Sequence, residues 1–377
     1  MAPELTRRTF LGATAAATAA ACAPATAPAT QSQPAGAATG WEAEWQELVK
    51  AAKSEGKLTL VTAIGAGYRD AVAAFEDAFP GISVEHTSLN ASNFTPRALQ
   101  EWKSGIFSYD AMTSTWAIVP RAMADEGMVV PIKQVIFRPD VLDTKVWQDG
   151  FDAGYRDKDE KWVYAGFVER REDLWINTDM VQPNEIAKVE DLINPKWKGK
   201  IVTGDPRAHG GGFTPGTILR MEKGDDFVKR LWKDQECAFS RDNRQLTEFM
   251  VRGRYAIGIG AVFREILEEF TAENLGKNLK RLDLESIDSV SGGRNNVWMF
   301  NKAPHPDAGK LFVNWLLSKE GSAIWSKYGA TNSRRVDVPP AYPDVIPAPG
   351  KKYRSTDAWD MVDEFQKTQD LAKAVLN

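Results

Sequence analysis

The chain has 377 residues, 43% hydrophobic and 26% charged, with 47 Lys plus Arg against 51 Asp plus Glu and a formal net charge of −4. That composition suits a globular protein long enough for about two domains, and it lacks the general basic excess that neutralises nucleic-acid phosphates, so no nucleic-acid partner is expected. The three histidines, His86, His209 and His305, stand far apart in sequence. A multi-histidine metal site is therefore not expected, nor is any cofactor.

The N-terminus opens with Thr6-Arg7-Arg8-Thr9-Phe10-Leu11, followed by an apolar, alanine-rich run over 12–21. This run is far shorter than the ~20 apolar residues that span a bilayer and reads as the core of an export signal. The arginine pair has the form of a twin-arginine signal, which makes the twin-arginine export machinery an expected partner. Ala19-Ala20-Ala21-Cys22 resembles a lipoprotein cleavage box, with Ala19 where Leu is usual, and cleavage there leaves Cys22 as the lipid-bearing N-terminus. Residues 23–40 contain only Ala, Pro, Thr, Gln, Ser and Gly, the composition of a flexible tether. The expectation is an export signal over 1–21, a tether over 22–40, and a protein lipid-anchored in the periplasm or on the outer face of the cytoplasmic membrane. With Cys22 so used, Cys237 stands alone and no internal disulfide is available.

From residue 41 helical and strand periods alternate. Trp41, Trp45, Leu48 and Ala52 predict a helix over 41–53, and Lys57-Leu-Thr-Leu-Val-Thr62 a strand broken at Gly65 and Gly67. Val72, Phe75 and Phe79 line one face of a helix over 68–79, which Pro80-Gly81 stops. A strand over 82–87, a helix over 92–104 and a short strand over 109–113 follow. This βαβαβ order predicts a parallel sheet with ligand chemistry at the strand C-termini. A second series occupies 173–177, 200–203, 213–222, 241–252, 255–260 and 262–269. It leads to a segment at 296–300, paired helices over 306–318 and 320–328, and an amphipathic stretch over 355–375. No internal repeat, transmembrane helix or coiled-coil heptad is present.

Three motifs carry a resemblance. Trp175-Ile-Asn-Thr-Asp179, Asp191-Leu-Ile-Asn-Pro-Lys-Trp-Lys-Gly-Lys200, and Ala303-Pro-His-Pro-Asp-Ala308 with Phe312 and Trp315-Leu-Leu-Ser-Lys-Glu-Gly321 resemble the family 1 extracellular solute-binding proteins. These are receptors of ATP-binding-cassette (ABC) importers, and the nearest group takes ferric ion, thiamine, sugar phosphate or phosphonate. The resemblance runs from about residue 57 to residue 338. It implies an α/β, two-lobed periplasmic-binding-protein fold of type II, with two hinge crossings and a small-molecule ligand in the cleft between lobes. Lobe one is expected at 41–165 plus 286–335, and lobe two at 166–285 plus 336–377. It further implies a monomer without enzymatic activity whose partner is an ABC permease of the inner membrane.

Ferric members of that group generally hold iron through a tyrosine pair after the strand that is here Tyr255-Ala-Ile-Gly-Ile-Gly260. The residues that follow are Ala261-Val262-Phe263-Arg264, and neither Val nor Phe supplies a phenolate. Many also draw a His from the loop after the first strand and a Glu from the loop after the third. Those loops here read Thr62-Ala-Ile-Gly-Ala-Gly67 and Thr113-Ser-Thr-Trp116. A hard trivalent cation bound without anionic oxygens leaves its charge uncompensated, so ferric ion is disfavoured and no metal ligand is assigned.

The remaining polar residues favour an anion. In His209-Gly-Gly-Gly-Phe-Thr-Pro-Gly216, Thr214 suits a helix N-cap and Pro215 the first helical position. Backbone N–H groups of Gly211, Gly212, Phe213 and Thr214 then face a ligand at the positive end of the helix dipole; the alternative is a simple turn with a capped helix. Arg69, Arg170, Arg171, Arg207 and Arg241 offer forks for carboxylate or phosphate, though each also suits a surface ion pair. Asn243 lies beside Arg241 and Arg244 in a stretch where Ser240 is expected to cap the next helix. Thr62, Tyr68, Ser114, Thr115 and Trp116 fall at or just after strand ends of the opposite lobe. There the hydroxyls either bind a ligand or cap helices, while Trp116, Trp175 and Trp298 suit a core. The expected function is an ABC-import receptor for a small phosphate ester, phosphonate or carboxylate. A ligand-presenting receptor for a membrane sensor is an alternative. A thiaminase-like enzyme using Cys237 is disfavoured, because Cys237 falls in an apparent strand with no histidine near it.

Overall fold

In the computed structural model, which describes residues 40–63, 65, 67–89, 91–114, 118–208 and 212–376, Lys57–Thr62 (β1) is buried at every position after its first. A strand covered on both faces has no polar alternation to show, hence the run Leu58, Leu60, Val61. Ser83–Ser88 (β2), Ala111–Ser114 (β3) and Tyr164–Ala165 (β4) follow, then Glu169–Arg170 (β5), Leu174–Asn177 (β6) and Ile201–Gly204 (β7). Ala238–Ser240 (β8), Ile257–Ile259 (β9), Leu279–Arg281 (β10), Ser289–Ser291 (β11), Asn296–Met299 (β12) and Arg354–Ser355 (β13) complete the strands.

They form two five-stranded sheets, ordered β2-β1-β3-β12-β4 and β10-β6-β9-β7-β8, and a three-stranded one, β13-β11-β5. The small sheet joins the large ones: β5 lies between β4 and β6 in the chain, and β11 between β10 and β12. These are the two hinge crossings of a type II periplasmic-binding-protein fold. The first sheet is parallel over β2-β1-β3, as the βαβαβ order predicts, while β12 runs antiparallel to β3 and β4. Because β12 returns through the β11 crossing, it enters where β3 ends, with Asn296 opposite Ser114, and must run antiparallel.

The longer helices are Gly40–Glu55 (α1), Tyr68–Ala78 (α2), Ala91–Lys103 (α3), Ile118–Asp125 (α4), Phe213–Lys223 (α5), Asn243–Val251 (α6), Arg264–Ala272 (α7), Pro306–Leu317 (α8), Lys319–Tyr328 (α9) and Met361–Leu376 (α10). Helix α8 is buried at nearly every position from Ala308 to Leu317. Phe75 of α2 meets its Phe312 and Trp315 edge-on at 5.5 and 5.2 Å. One apolar core gathers Leu58, Leu60, Phe75, Phe312, Trp315 and Trp325 against the first sheet. Another gathers Leu174, Ile176, Trp197, Ile201, Trp232 and Ile257 against the second. The stretch expected at 355–375 begins later, since Arg354–Ser355 pairs with β11 and the helix starts at Met361. That helix packs on α5, with Phe365 stacked on Phe213 at 4.9 Å.

Two caps differ from expectation. Helix α5 starts at Phe213 with Gly212 as its N-cap, placing Thr214 and Pro215 inside the first turn. A Cβ on Gly212 would stand 1.8 Å from the Gly204 carbonyl oxygen, so only glycine fits where the loop recrosses the end of β7. Helix α6 is capped by Asp242, whose carboxylate accepts from the Arg244 and Gln245 N–H groups. Ser240 instead accepts from the Asp242 N–H. Cys237 precedes β8 instead of lying in it.

Candidate functional site

In an open α/β sheet the crevice lies beyond the carboxyl ends of the strands. Here β5 and β11 lie between the strands of the two large sheets in chain order. Gly65 follows β1, and a Cβ there would lie 3.9 Å from an Arg294 Nη1. Arg294, in the β11–β12 connection, reaches Glu265 in the first turn of α7 at 2.7 Å. Farther along, Arg121 of α4 meets Asp363 of α10 at 3.1 Å. Two ion pairs thus run from the segments around β3 and β12 to the helices α10 and α7.

On the first-sheet side, Thr62 is buried at the end of β1. Its hydroxyl donates to the Ala63 carbonyl and lies 2.8 Å from His86 Nε2 and 3.3 Å from Ser88 Oγ. Burial, then the nearby Arg69 charge, lowers the His86 pKa. Arg69 is exposed and has no ion pair among the described residues. Tyr68 is buried, donates to Asn295 Oδ1 at 2.9 Å, and is held protonated by burial. Ser114 is buried at the end of β3.

Most of the expected arginine forks hold carboxylates of the chain itself. Arg170 grips Asp288 at 3.1–3.2 Å and reaches Asp283. Arg207 holds Asp205 through Nε and Nη2 at 2.8 and 3.2 Å, while Arg241 takes the same carboxylate at 2.9 Å. Burial opposes ionisation of Asp205, but the bonds from Arg207 and Arg241 outweigh it and hold the carboxyl below its ordinary range. Arg171 holds Asp173 at 2.9 and 2.7 Å from the crossing itself. Phe213 and Thr214 are buried, and Asn243 is exposed at the start of α6. Trp175 and Trp298 are buried in cores. Thr115, Trp116, Gly211, His209, Gly210 and Cys22, together with the export signal and tether, lie outside the described residues.

Sequence reasoning missed Glu169. It occupies the first crossing strand, retains some exposure, and makes no hydrogen bond or ion pair among the described residues. A Cβ on Gly293, whose φ is +61°, would lie 3.4 Å from Glu169 Oε1. Burial, only partly offset by the Arg171 charge, pushes its pKa up to about 7. Glu172, three residues on, is by contrast paired with both Arg264 and Arg281. The run Val168-Glu169-Arg170-Arg171-Glu172-Asp173 contained the residue but no signal of which carboxylate lacks a partner.

Two surface hollows lie elsewhere. One of about 520 Å³ is lined by Asp226, Lys229, Arg230 and Lys233, and another of about 410 Å³ by Trp175, Arg264, Arg281 and Asp344. Neither includes Thr62, Tyr68 or Glu169. Cys237 is buried, donates to the Leu231 carbonyl at 2.9 Å, and has its pKa pushed up to about 12 by burial. Such a thiol is not a nucleophile at neutral pH. Val262 is buried and Phe263 caps α7, so the loop after β9 presents no phenolate. No helix among the described residues is long and apolar enough to cross a membrane.

Residues 58–331 match the family model described as bacterial extracellular solute-binding protein. An uncharacterized protein of Haemophilus influenzae is 27% identical over 197 residues, covering 48% of this chain and 53% of that protein, so the match spans about half of that relative. Iron-bound HitA from Pseudomonas aeruginosa superposes with a TM-score of 0.62 at 15% identity, over 85% of this chain and 99% of HitA. AfuA from Actinobacillus pleuropneumoniae, solved with fructose-6-phosphate, gives 0.60 at 18% identity over 84% and 98%. The spermidine/putrescine ABC transporter substrate-binding protein PotD from Streptococcus pneumoniae gives 0.58 at 15% over 85% and 99%. At these identities the structural likeness speaks for the fold alone.

Proposed function

Because the chain belongs to the bacterial extracellular solute-binding protein family, we propose that it is the extracytoplasmic receptor of an ABC import system, passing a small solute to a membrane permease. The observation that carries this reading is the pair of crossing strands β5 and β11, with Arg294 of the β11–β12 connection, next to Gly65, meeting Glu265 of α7. Arg7, Arg8 and Cys22 fit export and lipid anchoring.

The solute carries an anionic group, a phosphate ester, phosphonate or carboxylate. Support comes from exposed Arg69, which has no ion pair among the described residues, and from the N-terminus of α5, where Gly212 supplies no side-chain cap; Arg171, held by Asp173, adds little. Arg170, Arg207 and Arg241 contribute less than their sequence positions suggested, since each is held by a carboxylate. Val262 and Phe263 continue to weigh against ferric ion. Calorimetry with ethyl phosphate, fructose 6-phosphate, putrescine and ferric citrate tests the assignment. Binding by a phosphate ester supports it; binding only by putrescine or iron refutes the anion while leaving the receptor.

A further inference from the structure

We propose that Glu169 recognises a hydrogen-bond donor, an ammonium or hydroxyl group, on the captured solute, so that the receptor selects a bipolar molecule over a bare anion. The inference rests on the crevice reading above. Glu169 sits on β5, in register with Ser291 of β11, and its carboxylate lies against the backbone at Gly293. The charged and titratable groups around it come from every neighbouring element. Arg171 and Glu172 follow it in the chain, Arg294 comes from the β11–β12 connection, and Glu265 from α7. The Tyr68 and Tyr342 phenols also feel its charge.

The two cations already hold other carboxylates, Arg171 that of Asp173 and Arg294 that of Glu265. Glu169 is the carboxylate left over. A structural role demands a partner, as Glu172 has in Arg264 and Arg281, and Glu169 has none among the described residues. Keeping an ionisable group half-desolvated without a partner is costly, and a ligand that completes it recovers that cost. An ionised carboxylate only accepts, so its complement is a donor. A bare metal ion is the wrong complement, because no second unpaired carboxylate adjoins among the described residues and a single carboxylate does not compensate a multivalent cation. The anionic group of the same solute is the one proposed above. With its pKa raised to about 7, Glu169 is mostly ionised at pH 8 and mostly protonated at pH 6.

The test is calorimetry with phosphoethanolamine, ethyl phosphate and ethanolamine, on wild type and Glu169→Gln, at pH 8 and pH 6, with melting curves confirming that both are folded. Phosphoethanolamine should bind wild type at least about tenfold tighter than ethyl phosphate at pH 8. That ratio should collapse toward one in Glu169→Gln and shrink in wild type at pH 6, while the variant's ratio stays constant with pH. Equal binding of both phosphates by wild type, or an undiminished ratio in the variant, overturns the Glu169 contact and leaves the anion reading intact. Binding of ethanolamine alone, lost in the variant, supports Glu169 and refutes the anion. Binding of none of the three overturns both.

Discussion

Replacing Asp205 by Asn keeps the shape of the side chain and removes the charge that two arginines share. Asp205 is 5% exposed, Arg207 28% and Arg241 67%. Asn retains one acceptor for the Arg207 N–H and Nε, now bonded to Oδ1 at 3.0 and 2.8 Å. The oxygen that takes Arg207 Nη2 and Arg241 Nε becomes an amide donor facing donors. The partly covered Arg207 contact, as a charge-assisted bond, contributes about 1.5–3 kcal/mol. The exposed Arg241 rehydrates and adds no more than about 1 kcal/mol. The expected loss is about 2–4 kcal/mol, read by urea denaturation with tryptophan fluorescence at pH 7. The pH dependence has a definite sign. A carboxyl whose folded pKa is depressed stabilises above its unfolded value, near 3.8, and loses that contribution as pH falls through the folded value. The gap between wild type and variant should hold from pH 7 to pH 5 and close only below about pH 4. A variant within about 0.5 kcal/mol of wild type, or a gap that closes between pH 7 and pH 5, refutes the reasoning.

Arg207→Ala and Arg241→Ala should leave affinity for a phosphate ester within about threefold, whereas Arg69→Ala, which removes an arginine without an ion pair among the described residues, should lower it about tenfold or more by calorimetry. A large effect at Arg207 or Arg241 would mean that Asp205 releases them to the ligand. The Cys237 thiol should resist iodoacetamide in the native protein and react on unfolding, as followed by intact-mass spectrometry. Changing Arg7 and Arg8 together to Lys should leave precursor in the cytoplasm, and Cys22→Ala should release mature protein from the membrane; fractionation and blotting decide both.

Local periodicity determined much of the scaffold. The three- and four-residue spacing from Trp41 to Ala52 produced α1 to within two residues at either end, and the apolar run from Leu58 produced β1. These elements are specified by which of their own faces must be buried, and that is written in adjacent residues. The caps of α5 and α6 were not legible. Gly212 takes the first because the Gly204 backbone crosses there, and Asp242 takes the second although Ser240 and Asn243 also suit a cap. Nor was the direction of β12, which depends on where the β11 crossing delivers the chain. At the site, sequence named the arginines but not their partners. Asp288 is 118 residues from Arg170, and Asp205 is 36 from Arg241. Glu169 reverses the case, since its neighbours in the chain offer ample positive charge, yet folding commits Arg170 to Asp288 and Arg171 to Asp173. Whether a charge is free is a property of all the groups packed around it, and only the tertiary structure brings those groups together.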